Sequence, residues 1–197
     1  MPALPHMSAY LARLPHGLDS FPEAKAKASL YRSTIDATMV PDLSVLPPVL
    51  ARLLETPAPV SSWINEVHSH ALILAARDLR FDSDAAFVDF AYARQKDLFA
   101  GRLYRVMLAL ASPTILLRSG ALRWTTFHRG SSFNVEEGSA TGAVIRIDHP
   151  PGLWHGLLAD ALIAGLRAVL DLSGAQDVDM HVAKQDAESL WIRGTWR

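Results

Sequence analysis

One short stretch in the middle of the chain carries the residue types that bind metals and move protons. Asn65 to Asp78 reads NEVHSHALILAARD, with Glu66, His68 and His70 at the head of an apolar run. On a helix of 3.6 residues per turn, residues two apart point about 200° apart, so His68 and His70 cannot share one metal ion. Helical ligand pairs need a spacing of three or four. Glu66 and His70 have that spacing, but two ligands make no site without a third from elsewhere. They are expected as a surface or boundary ion pair worth a few tenths of a kcal/mol. His68 continues a face with Ile64, Ala71, Leu72 and Ala75. It reads as a core or pocket-lining histidine.

A second group lies at ALRWTTFHRG, read as a strand from its Trp, Thr and Phe content. On a strand, Trp124, Thr126 and His128 would share one face. If that face meets the helices, His128 sits at the edge of a pocket with Trp124 as its floor, a common way to orient a small ligand. The alternative is ordinary sheet packing with His128 at the solvent edge. His149 and His155 are too loosely spaced to make a metal site, and Trp154 beside Pro150 and Pro151 reads as a packing anchor. Glu136 and Glu137 are adjacent, so on a strand they point to opposite faces. There is no Gly-x-Ser-x-Gly elbow, no Gly-x-Gly-x-x-Gly and no Walker A loop. No reaction is indicated, no metal site is expected, and the chain is read as non-enzymatic.

The elements that must position these residues fall into two halves. Helices are expected at SFPEAKAKASLYRSTIDA with Ser20 as cap, at PDLSVLPPVLARLLET, at SSWINEVHSHALILAARDLR with Ser61 or Ser62 as cap, and from Ser83 to Ala111. SPTILLRSG adds a short helical turn. Alternation then replaces the helical period. Ala143, Ile145 and Ile147 oppose Val144, Arg146 and Asp148, and Val178, Met180 and Val182 face inward with His181 outward. Between these strands LWHGLLADALIAGLRAVLDLSG is an amphipathic helix ended by Gly174. The predicted order is four or five helices, then β-β-β-α-β-β. We read residues 1–197 as one α+β domain, its helices packed on an antiparallel sheet.

Composition narrows the function. Half of the 197 residues are hydrophobic, so a sizeable core is expected. Nineteen Lys and Arg against 20 Asp and Glu leave a net charge of −1, which argues against a partner held by phosphate charge. With no cysteine, disulfides, thiolate metal sites and cysteine nucleophiles are excluded. No apolar run approaches a membrane span of roughly 20 residues, and no signal peptide is recognised, so a cytoplasmic protein without nucleic-acid partner or membrane insertion is expected.

Three stretches, LPHGLDSFPEAKAKASLYRS, SPTILLRSGALRWTTFHRGSSF and WIRGTW, resemble a family of many paralogues in myxobacteria, known only as a domain of unknown function. More distantly, the element order is similar to the superfamily of haem-nitric-oxide-binding, vinyl-reductase-like and Golgi-transport ligand-binding domains. That resemblance implies an internal pocket between helices and sheet, used in different relatives for haem, a small molecule or a lipid chain. The haem branch holds propionates with Tyr-x-Ser-x-Arg. The nearest match is Tyr31-Arg32-Ser33-Thr34-Ile35, with Ile35 in place of arginine, so haem held that way is not expected. No cofactor is indicated.

The sequence thus points to a sensor or carrier for a small apolar ligand, bound by Trp63, His68, Tyr104, Trp124 and His128. The rival is a homodimeric protein–protein interaction module with a filled core.

Overall fold

A computed structural model of the chain describes residues 4–35, 37–99 and 112–197. Its second half follows the alternation closely. Strands β4 (Ser132–Gly138), β5 (Gly142–Asp148), β6 (Asp179–Gln185) and β7 (Ser189–Thr195) form one antiparallel sheet in the order β4-β5-β7-β6. Ile145 pairs with Ile192 and Ile147 with Leu190, and all four side chains are fully buried. Such directly opposed apolar pairs fix the register, because a slip of one residue would turn the whole set to solvent.

Seven α-helices are described: α1 (Pro5–Arg13), α2 (Ala28–Thr34), α3 (Pro48–Glu55), α4 (Glu66–Arg80), α5 (Asp84–Phe99), α6 (Pro113–Phe127) and α7 (Leu157–Leu172). Helices α5 and α7 pack against one another, α7 also meets β6, and α6 meets β4. The result is an α+β fold, as expected. Among the described residues no helix is long and apolar enough to cross a membrane.

Several expectations need correction. The helix expected from Ser20 begins only at Ala28, since Lys25–Lys27 form strand β1. Buried Ser20 instead accepts a hydrogen bond from the His16 amide through Oγ, 2.9 Å. Neither Ser61 nor Ser62 caps α4. Residues Trp63–Asn65 form strand β2, and Asn65 is the cap, its side chain accepting from the Val67 amide at 2.8 Å. Helix α1 was not anticipated. Most consequential, residues 121–127 are helix rather than strand. Ser112 caps α6 and Pro113 opens it, which sets a helical frame that Trp, Thr and Phe then follow despite their strand propensity. Leu117, Ala121 and Trp124 lie at helical spacing on its inner face. Only His128–Arg129 remain as a two-residue strand, β3.

The short strands make a second sheet in the order β2-β1-β3. Ala26 at its centre pairs with Ile64 on one side and His128 on the other. Gly130 then turns the chain from β3 into β4 with φ +76°. A Cβ there would sit 3.0 Å from Ala24 Cα, so glycine is required by both its dihedral and the close approach of the backbone just before β1.

Candidate functional site

The short sheet sets the site. Glu66 follows β2 directly and starts α4, its amide donating to the Ala24 carbonyl at 3.0 Å. His128 lies on β3. Small, buried Ala26 stands between the two strands. Across it, His128 Nδ1 donates to Glu66 Oε1 at 2.7 Å. Glu66 has no exposed surface, and His70 and His128 are also buried. The expected surface or boundary pair of Glu66 and His70 is therefore corrected. Both are interior, and the hydrogen-bonded partner of the carboxylate is His128, with His70 Nε2 at 3.8 Å.

His70 is held from its other nitrogen. Nδ1 lies 3.2 Å from the Leu153 carbonyl and 3.3 Å from the Tyr10 hydroxyl. A carbonyl only accepts, so the first bond places the proton on Nδ1. Burial pushes the His70 pKa from 6.5 down to about 4, against the opposing pull of the Glu66 charge. Its imidazole is neutral near pH 7. Burial likewise raises the Tyr10 hydroxyl well above its ordinary value, with Glu66 adding to the effect.

Aromatic rings enclose the group. Trp124 stacks on His128 with centroids 3.9 Å apart and planes 12° from parallel, a contact made four residues apart across the end of α6. Its Nε1 donates to Ser131 Oγ at 3.0 Å. Trp154 meets His70 edge-on at 4.5 Å.

Beside this cluster lies a cavity of about 190 Å³. Helix α2 contributes Leu30, Ser33 and Thr34; α4 contributes Glu66, Ser69, His70 and Ile73; α5 contributes Phe87 and Ala91; α7 contributes Leu158 and Leu162. His128 and Trp154 complete the polar end, and Arg94 and Leu98 stand at the exposed end. Three buried side-chain atoms among the described residues lack a hydrogen-bond partner: Glu66 Oε2, Trp154 Nε1 and His149 Nε2. The first two belong to residues of this cavity.

The sequence-derived site residues divide. His128 lines the cavity, and Trp124 backs it without lining it. Half-buried His68 bonds through Nε2 to the Leu18 carbonyl at 3.1 Å, away from the cavity wall, and burial lowers its pKa. Half-buried Trp63 carries Lys27 Nζ and the Arg129 guanidinium over its ring, at 4.1 and 4.0 Å. Tyr104 lies outside the described residues. The residues missed were Glu66, His70 and Trp154. The spacing of Glu66 and His70 had marked one shared face. What it lacked was His128, 62 positions away, whose arrival depends on β1 pairing with both neighbours.

No family model and no curated protein sequence matches the chain. Its fold is nevertheless that of a defined class of α+β domains, the H-NOX proteins. The unliganded Fe(II) H-NOX protein from K. algicida superposes with a TM-score of 0.58 at 12% identity, covering 87% of this chain and 96% of the other. The H-NOX protein from S. oneidensis, in its Fe(II)NO ligation state, gives 0.54 at 12% identity, covering 87% and 99%. At these identities the likeness is one of fold.

Proposed function

We propose that the chain is a ligand-binding sensor or carrier domain whose site is the cavity beside Glu66. The observation that carries this reading is the pair of buried polar atoms without a partner among the described residues, Glu66 Oε2 and Trp154 Nε1, on residues of one largely apolar cavity. Nearly all buried polar groups in folded proteins are matched, so two unmatched atoms converging on one cavity support its reading as a place for another molecule. A wider groove of about 690 Å³ between α5, α7 and β6 has no such atom among its lining residues.

Haem of the kind suggested by the superfamily resemblance does not fit the described residues. The volume is below the roughly 300–1,000 Å³ of pockets for drug-sized ligands. Ile35 is buried, and the Tyr31 hydroxyl donates to the Leu53 carbonyl at 3.1 Å rather than facing an anion. Catalysis is also disfavoured. Glu66 orients His128 as an acid–base pair would require, but no hydroxyl is hydrogen-bonded to His128 among the described residues. Membership of the myxobacterial family remains part of this reading, resting on the three stretches quoted above.

Native mass spectrometry with an absorption spectrum of the same sample tests the proposal. The expected result is a bound small mass released on denaturation, with no Soret band. A bare chain that also takes up no added small molecule overturns it. One observation favours the second reading, a homodimer. Ile115 and Leu122, two turns apart on α6, are 57% and 84% exposed. A dimeric mass that becomes monomeric on Leu122→Gln would support that reading.

A further inference from the structure

The cavity's polar end has an uneven inventory. Glu66 brings a carboxylate with no exposed surface. Its Oε1 accepts from His128 Nδ1, and its Oε2 has no hydrogen-bond partner among the described residues. His70 supplies neither a hydrogen bond nor a charge to the carboxylate: its Nε2 lies 3.8 Å from Oε1, the oxygen already bonded to His128, and the ring is neutral at pH 7 because burial holds its pKa near 4. A buried carboxylate with an open oxygen calls for a donor, and a positively charged donor satisfies it best. Phe87 and Trp154, on the same cavity, offer aromatic rings, whose faces attract cations. The rest of the wall mixes apolar side chains, among them Ile73, Leu158 and Leu162, with the short hydroxyls of Ser33, Thr34 and Ser69, the Gln95 amide and, at the exposed end, Arg94.

We propose that the cavity takes a small organic ammonium ion, a primary amine on a short apolar body. The ammonium group donates to Glu66 Oε2, and the body lies along Ile73, Phe87 and Leu162. This rests on the reading of the cavity as a ligand site and adds the chemical class of the ligand. Trp154 Nε1 is left to donate to a hydroxyl on the ligand or to a water. Water alone would match the two polar atoms but would leave the apolar remainder of a 190 Å³ space wet, which is unfavourable. An acidic ligand would set two carboxylates side by side, and like charges there oppose binding. A neutral alcohol would fill the space and donate one bond, without compensating the charge. Arg94 is the cation nearest to opposing the proposal. It lies at the exposed end, where solvent screens it, and its Nε is engaged by the Ser33 carbonyl at 2.5 Å.

The test is calorimetric titration of the full chain at pH 7.5 with n-hexylamine, 1-hexanol and hexanoate. The expected order is amine over alcohol by at least roughly tenfold, the factor supplied by one charge-assisted hydrogen bond, with hexanoate weakest. Glu66→Gln is expected to bring the amine to the level of the alcohol while the alcohol still binds. Leu162→Trp, which fills the cavity from α7 and leaves Glu66 in place, is expected to abolish binding of both; it decides the matter if Glu66→Gln fails to fold. Equal binding of amine and alcohol by the native chain overturns the ammonium assignment and leaves the cavity as a ligand site. Binding of neither overturns both. Amine binding that survives Leu162→Trp places the amine elsewhere and overturns the assignment.

Discussion

Ile145, Ile147, Leu190 and Ile192 on the four-stranded sheet are as deeply buried as Glu66, and His70 and His128 lie nearly as deep, yet the two regions are built on different terms. Between β5 and β7 the ladder runs without a register shift from Gly142–Thr195 to Asp148–Ser189, and these four inward-facing side chains are apolar. Around Glu66 the buried groups are polar, they come from four separate parts of the chain, and one carboxylate oxygen is left open. Burial alone therefore does not distinguish core from site. The distinction lies in whether the buried polar atoms are all matched.

Removing one partner from the polar region is expected to have the largest effect. His128→Phe leaves the Glu66 charge buried without its donor and should lower stability by ~3–5 kcal/mol in urea denaturation. Glu66→Leu combined with His128→Phe should recover most of that loss, since an apolar pair of similar volume is often neutral or better. A single variant within 1 kcal/mol of wild type would show that no buried charge stands there. On the sheet the comparison runs the other way. Ile192→Ala should cost about 2–5 kcal/mol through lost burial and a cavity, no second substitution on its partner Ile145 should rescue it, and ligand binding should persist at temperatures where the variant is folded. Loss of binding in the folded variant would mean that the two regions are coupled.

Acid separates the regions next. The folded chain holds His70 near pKa 4, while the unfolded chain titrates it at 6.5. The unfolded state therefore binds more protons between those values. Stability from this group is present above pH 6.5 and is lost as pH falls toward 4, by roughly 3 kcal/mol at most. Urea midpoints measured from pH 7 to 4.5 should fall more steeply for the native chain than for His70→Phe. Parallel profiles would mean that His70 titrates normally and is not buried as described.

The sheet was far more legible in the sequence than the site. Ala143, Ile145 and Ile147 announce their strand by strict alternation, a local signal that the tertiary structure leaves intact. The stretch around Trp124 gave the opposite lesson. Its strand-forming residue types suggested extended backbone, but a cap at Ser112 and the spacing of Leu117, Ala121 and Trp124 carried the helix. Glu66 and His70 could be placed on one helix face. Their burial could not be foreseen, because it depends on β1, three residues long, bringing His128 alongside. His68 looked interior by its apolar neighbours and is instead tied to the Leu18 carbonyl. Local patterns predict local structure, whereas the hydrogen bonds that assemble this site join residues 60 or more positions apart.

The smallest expected effect bears most directly on how the two regions connect to their scaffolds. Asn65 and Ser112 are both helix caps, accepting from Val67 N at 2.8 Å and Ile115 N at 3.4 Å. Replacing either by alanine should cost about 1 kcal/mol in urea denaturation. Their consequences for the cavity should differ. Asn65 also donates to the Ser20 carbonyl at 3.1 Å, and the residue it precedes is Glu66. Releasing it loosens the first turn of α4, where the carboxylate is set against His128. Ser112 begins the helix that ends at Phe127, four turns from the residue before His128. Asn65→Ala should therefore weaken n-hexylamine binding severalfold while Ser112→Ala leaves it unchanged, at matched losses of stability. Equal weakening by both caps would mean that the cavity responds to global stability rather than to the placement of Glu66.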